Sequence, residues 1–183
     1  MMISDTVFIG SLGLLSPIFA LYINDFIVGG NEAVAGVAAA VYLFTKSGFQ
    51  IPIAYFLDKI RGEKDDFWIM FIFTIIIGLV PISYLYINTP IELYIVQFFT
   101  GLLTAFTFPS FMAIFARHLD SKKEGMEWGI YYSFTDLTSA GFAAIGGYIA
   151  FSLGFEKLII MSVILSVIGA LMLWPIKPYI KSR

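Results

Sequence analysis

The run Phe67-Trp68-Ile69-Met70-Phe71-Ile72-Phe73-Thr74-Ile75-Ile76-Ile77-Gly78-Leu79-Val80-Pro81-Ile82-Ser83-Tyr84-Leu85-Tyr86-Ile87 has no charged side chain in twenty-one residues. Wound as a helix at ~1.5 Å per residue, it crosses a hydrocarbon core of ~30 Å, and only a helix of that length satisfies its own backbone there. Working outward from it, residues 6–24, 34–57, 91–116, 129–151 and 158–176 are of similar length and almost as free of charge. Of the 183 residues 59% are hydrophobic and 13% charged, against roughly 45–50% and about 25% in a soluble domain. A soluble globule is excluded. The sequence predicts an all-α membrane protein, with residues 1–183 forming one domain of six transmembrane helices joined by short connectors.

Any function therefore belongs inside the bundle. There is no cysteine, which removes disulfides, thiolate metal sites and cysteine nucleophiles. The single histidine, His118, stands among charged residues at a span end, without the further ligands a metal needs. No metal, cofactor or nucleic acid is expected, and no enzyme, because an intramembrane serine protease needs a serine and a histidine at matching depths. The start Met1-Met2-Ile3-Ser4-Asp5 has no positive stretch, so the first span is expected to stay as a helix and not to be cleaved as a signal.

Nine of the eleven cations fall on one side of the spans: Lys59, Arg61 and Lys64, then Arg117, Lys122 and Lys123, then Lys177, Lys181 and Arg183. Basic loops stay in the cytoplasm. Both termini are thus expected there, in a multi-pass protein of the cell (plasma) membrane. Trp68, Trp128 and Trp174 all fall at span ends on the same side, where an amphipathic ring suits the headgroup layer.

The polar residues are shared unevenly. The third and sixth spans are almost purely apolar and read as facing lipid. In the fourth, Gln97, Thr100, Thr104 and Thr107 repeat at helical spacing and mark one stripe. It faces either a solute or another helix, since threonine also bonds its own backbone. Tyr132 and Asp136 with small residues mark a face of the fifth span, and Tyr42, Lys46 and Gln50 a face of the second. Small residues allow close approach and ionisable ones need a partner. Asp25 and Glu92 fall near the opposite membrane surface, where water solvates them. Pro17, Pro52, Pro81 and Pro109 interrupt four spans; such bends serve as flexing points or are ordinary features of membrane helices.

Lys46 lies near the middle of its span and Asp136 about 10 Å inside its own, by helical rise. A charge at the centre of a span costs ~2.5–3.5 kcal/mol on insertion scales, so mutual pairing is the economical arrangement. Their settings echo each other: Tyr42-Leu43-Phe44-Thr45-Lys46 against Tyr132-Ser133-Phe134-Thr135-Asp136. The second and fifth spans correspond in this way if the chain is two three-helix repeats of opposite topology.

With these features the chain resembles one six-helix half of a major facilitator superfamily transporter, a family whose halves are built from nested three-plus-three inverted repeats. The family signature G-x-x-x-D-R-x-G-R-R is similar to Ala54-Tyr55-Phe56-Leu57-Asp58-Lys59-Ile60-Arg61-Gly62-Glu63-Lys64, with alanine for the first glycine and one extra residue. Glu124-Gly125-Met126-Glu127-Trp128-Gly129 resembles the R-G-x-x-x-G that opens the fifth helix, without its arginine. Gly146-Gly147 is similar to the glycine pair of drug antiporters, and Gln97-Phe98-Phe99-Thr100-Gly101 to R-x-x-Q-G. The arginine often linked to proton coupling is absent there, so the resemblance implies no coupling by that route.

Family members usually have twelve helices, so the Met start and basic tail read as a complete half. The resemblance implies that the first and fourth helices line a cavity, the second and fifth meet another half, and the third and sixth face lipid. The expected function is secondary transport by alternating access in a parallel homodimer, with the lipid bilayer as surroundings and a small polar solute as cargo. Asn24, Gln50, Gln97, Thr100, Thr104, Tyr42 and Tyr132 are the candidates to bind that solute, a sugar before others. Lys46 and Asp136 are expected to pair between subunits or to carry coupling. Asp58, Lys59, Arg61, Lys64 and Arg117 are expected to form a cytoplasmic gate. The alternatives are efflux of a drug or hydrophobic compound, a channel, and a partner protein that does not itself transport.

Overall fold

A computed structural model describes residues 1–59 and 62–180. The chain forms α1 (Met2–Gly13), α2 (Phe19–Phe26), α3 (Glu32–Lys59), α4 (Glu63–Leu79), α5 (Pro90–Arg117), α6 (Glu124–Leu153) and α7 (Phe155–Leu171). Together α1 and α2 make the first span. Pro17 lies in a short 3-10 turn, Ser16–Ile18, that separates them, because proline has no N–H to continue the ladder. Pro81 likewise begins the 3-10 stretch Val80–Leu85 that extends α4. Pro52 and Pro109 lie inside continuous helices.

Five spans, Met2–Phe26, Glu32–Lys59, Glu63–Leu85, Pro90–Arg117 and Phe155–Tyr179, are long and apolar enough to cross a membrane. The chain is accordingly a multi-pass membrane protein. Helix α6 is as long as these, but Asp136 and its run of serine, threonine and glycine dilute its hydropathy. At the start of α5, Thr89 and Glu92 form a reciprocal cap: the Glu92 amide donates to Thr89 Oγ1, and Glu92 Oε2 accepts from the Asn88 and Thr89 amides. Glu92 is therefore more than a solvated surface charge, since it satisfies donors that the first helical turn leaves free.

Helix α5 packs along α3 and α4, and α1 packs along α6 and α7; the contact of α4 with α7 joins the two groups. Glycine permits the closest crossings. A Cβ on Gly101 of α5 would fall 2.6 Å from the Tyr42 carbonyl oxygen of α3, and one on Gly146 of α6 would collide with the carbonyl of Leu14, just past the end of α1. Between α1 and α7 the seam is polar: Ser4 Oγ donates to the Gly169 carbonyl at 2.7 Å, Ser162 Oγ to the Ser11 carbonyl at 2.9 Å, and the hydroxyls of Ser11 and Ser166 meet at 2.7 Å. All four serines are buried.

The apolar core is split between the two ends of the bundle. Leu14, Ile23, Leu93 and Leu158 belong to the cluster at one end. Phe67, Met70, Phe111, Ile114 and Leu173 belong to the cluster at the other, here termed the basic end because Arg117 and Lys177 lie there. On the outside, Ile72, Ile76 and Leu79 of α4 and Ile160, Ile164 and Ile168 of α7 form exposed ridges at helical spacing. Helix α3 is the least covered of the five spans, at 11% buried over its most apolar window. Phe44, Ile51 and Phe56 on α3, with Phe134, Leu137 and Phe151 on α6, stand in the open.

Candidate functional site

Between the two end clusters the groups around α1 and α5 leave a cavity of about 310 Å³. Ser4 and Asp5 reach it from α1, Tyr42 and Lys46 from α3, Thr104, Thr107 and Phe108 from α5, and Tyr131 from α6. The size falls at the lower end of the range for small-molecule sites. Four of the residues singled out in the sequence, Tyr42, Lys46, Thr104 and Thr107, thus meet at one place although they come from two helices.

Lys46 Nζ stands 4.7 Å from the centroid of the Phe108 ring, whose negative face supplies part of the stabilisation that water would otherwise give a cation. Thr100, Thr104 and Thr107 donate to the carbonyls of Val96, Thr100 and Leu103, four residues back in each case. Their donors are used within the helix, and the oxygen lone pairs are left to accept. At Thr104 and Thr107 those lone pairs adjoin the cavity.

Opposite Lys46, Tyr131 donates its hydroxyl to Asp5 Oδ2 at 2.5 Å. Tyr131 is 6% exposed, and Thr135 one turn on donates to the Tyr131 carbonyl at 2.9 Å. Asp5 is not among the sequence candidates, because the apolar run starts at residue 6; the helix begins at Met2 and carries Asp5 inside. The usable signal was Ser4-Asp5 directly before the apolar run, on a helix whose later face carries Phe8 and Leu12.

The remaining candidates lie elsewhere. Gln97 is buried on α5 and Thr100 half-buried, both farther from the basic end than Thr104. Gln50 is half-buried one turn beyond Lys46, and Asn24 is exposed on α2. Tyr132 is exposed and stacks on Trp128 with centroids 5.8 Å apart. Asp136 is exposed on α6. Among the described residues it forms no ion pair, and α3 and α6 are not packed on each other in the chain.

At the basic end, Arg117 pairs with Asp66 at 2.6 Å, tying α5 to the first turn of α4. Asp66 was not among the sequence candidates, being the last acid before the apolar run. Asp58, Lys59 and Lys64 form no ion pair among the described residues; Lys59 lies over the Tyr55 ring at 4.2 Å. Arg61 lies outside the described residues.

The sequence model of the Major Facilitator Superfamily matches residues 1–183. Neither the curated proteins nor the solved structures provide a match.

Proposed function

Because the chain belongs to the major facilitator superfamily, and is thus a membrane transporter of that type, we propose that two copies side by side, in the same orientation, form the working unit. The observation that carries this reading is the exposure of α3 and α6. They bear the two membrane-depth charges of the sequence, and within one chain Lys46 and Asp136 find no counter-ion among the described residues. A second copy placed by a twofold axis sets Lys46 of each chain against Asp136 of the other. Both termini are in the cytoplasm of a cell-membrane protein, as the basic connectors indicate.

The repeat reading has support in the packing. Exchanging the first three spans with the last three turns the contacts of α1 with α6 and α7 into those of α5 with α3 and α4. The cavity between α1 and α5 is then half of a larger central site, opened to either side in turn as the two chains rock. Its cargo is a small polar solute, a sugar before others, held by Tyr42, Thr104 and Thr107. The remaining candidates, Asn24, Gln50, Gln97, Thr100 and Tyr132, join it when the second copy closes the site. The aromatic wall of Phe8, Phe108 and Phe111 favours a second reading, export of a hydrophobic compound. Arg117 with Asp66, together with Asp58, Lys59, Arg61 and Lys64, serves as the cytoplasmic gate.

The test uses Lys46→Ala, Asp136→Ala and the exchange Lys46→Asp/Asp136→Lys. Dimer content is read by native mass spectrometry and solute uptake in liposomes against a panel of sugars and cationic dyes. Loss of dimer and uptake in each single variant, with recovery in the exchange, supports the reading. Single variants that dimerise and transport as the parent does would overturn it.

A further inference from the structure

The basic end carries a second recess, between the start of α4 and the 3-10 stretch Trp174–Tyr179 that follows α7. It measures about 550 Å³ and is lined by Lys64, Phe67, Trp68, Lys177, Pro178 and Ile180. Lys177 Nζ is held over two indoles, 4.9 Å from the Trp68 centroid and 4.6 Å from that of Trp174. The two rings meet edge to face at 6.0 Å. The ammonium is thus positioned by aromatic faces and not by a carboxylate.

Among the described residues no acidic side chain lines the recess. Lys64 and Lys177 form no ion pair among the described residues, and the nearby Asp66 is occupied by Arg117. Two cations therefore converge on an opening whose described lining carries no acid, while Glu63, Asp65 and Asp66 share the first turn of α4 with Lys64. Phe67, 1% exposed, forms its floor. From this opening the exposed ridges of Ile72 and Ile76 on α4, and of Ile164 and Ile168 on α7, run along the bundle toward the bilayer interior.

This succession of paired cations, amphipathic indoles at the headgroup level and a long apolar track has the layout of a phospholipid. We propose that the recess between α4 and the 3-10 stretch after α7 binds an anionic phospholipid. Its phosphate lies between Lys64 and Lys177, and its acyl chains lie on the isoleucine ridges. A zwitterionic phospholipid carries the same phosphate but brings a choline cation toward the lysines, so it binds more weakly. Basic recesses between membrane helices hold acidic headgroups in this manner, at about fivefold in binding per lysine.

The experiment titrates the purified full chain in detergent with dioleoyl-phosphatidylglycerol, or with dioleoyl-phosphatidylcholine of the same chains, and counts bound lipid by native mass spectrometry. Brominated acyl chains report contact with Trp68 and Trp174 by fluorescence quenching. Phosphatidylglycerol should be retained in preference. Lys64→Gln/Lys177→Gln should weaken it about 25-fold, and Lys64→Arg/Lys177→Arg should keep it. Lys157→Gln, at the opposite end, should have no effect. Equal binding of the two lipids, or a glutamine variant that binds as the parent does, overturns the proposal. So does displacement of the lipid by millimolar inorganic phosphate, which would reveal a site for soluble anions.

Discussion

Replacing Gly101 by alanine tests whether α3 and α5 cross where the structure places them. The added Cβ would lie 2.6 Å from the Tyr42 carbonyl oxygen, 3.0 Å from Thr45 Cβ and 3.2 Å from the Lys46 amide nitrogen. Two of these are backbone atoms and cannot swing aside. Ordinary contact begins at 3.4 Å, so α3 has to retreat by about 0.8 Å, the difference between 3.4 and 2.6 Å. Overpacking of this kind costs ~1–3 kcal/mol, partly hidden by the ~1 kcal/mol that alanine gains over glycine within a helix. Gly36→Ala on α3 isolates the packing cost, because a Cβ there meets nothing within 4 Å and carries the same helix preference. At ~2–4 °C per kcal/mol for a chain of this size, Gly101→Ala should melt roughly 2–12 °C below Gly36→Ala in detergent. Uptake should fall as well, since the retreat carries Tyr42 and Lys46 out of the cavity. Equal melting temperatures for the two variants would refute the crossing.

The Arg117–Asp66 bridge should respond unequally to loss of either charge. Arg117→Gln leaves a carboxylate that is 5% exposed without its counter-ion; the ~3–5 kcal/mol of a buried pair shrinks to about 1–2 kcal/mol because water screens the half-exposed guanidinium. Asp66→Asn leaves only that hydrated arginine and should cost under ~1 kcal/mol by thermal unfolding; equal losses would mean that Asp66 is hydrated too. Tyr131→Phe removes the hydroxyl that donates to Asp5, a bond to a charged group of ~1.5–3 kcal/mol. A double-mutant cycle of Tyr131→Phe with Asp5→Asn should return a coupling of at least ~0.5 kcal/mol, and a coupling of zero would separate the two residues.

The apolar runs that become helices, the side on which the cations gather and the outward ridges of α4 and α7 were legible in the sequence, because each depends on local order alone; of the six expected spans, five are long and apolar enough among the described residues, and α6 is not one of them. Crossing a bilayer requires an unbroken apolar length, and a lipid-facing ridge repeats with the helical period. The resemblance to the family was legible too, through Asp58, Gly62 and the Tyr-x-Phe-Thr echo, and the match over residues 1–183 bears it out. The effect of each proline was not. Pro17 and Pro81 coincide with a change of helix type, while Pro52 and Pro109 leave their helices continuous, as neighbouring helices decide how a lost backbone bond is made good.

Which polar side chains share a space was likewise decided by tertiary structure. Gln97, Thr100 and Thr104 are one stripe on paper, yet Thr104 borders the cavity while Thr100 and Gln97 lie farther along α5. Asp5 and Tyr131 are 126 positions apart in the chain and bond directly. Arg117 chose Asp66 over Asp58, since the crossing of α4 with α5 puts the first turn of α4 beside the end of α5. The serines of α7, which in sequence only lighten an apolar span, became the seam with α1. Hydropathy and period are sums over neighbours along the chain and survive without knowledge of the fold. The partner of a polar atom is one particular atom from a distant segment, and only the helix crossings, set by small residues such as Gly101 and Gly146, bring it within reach.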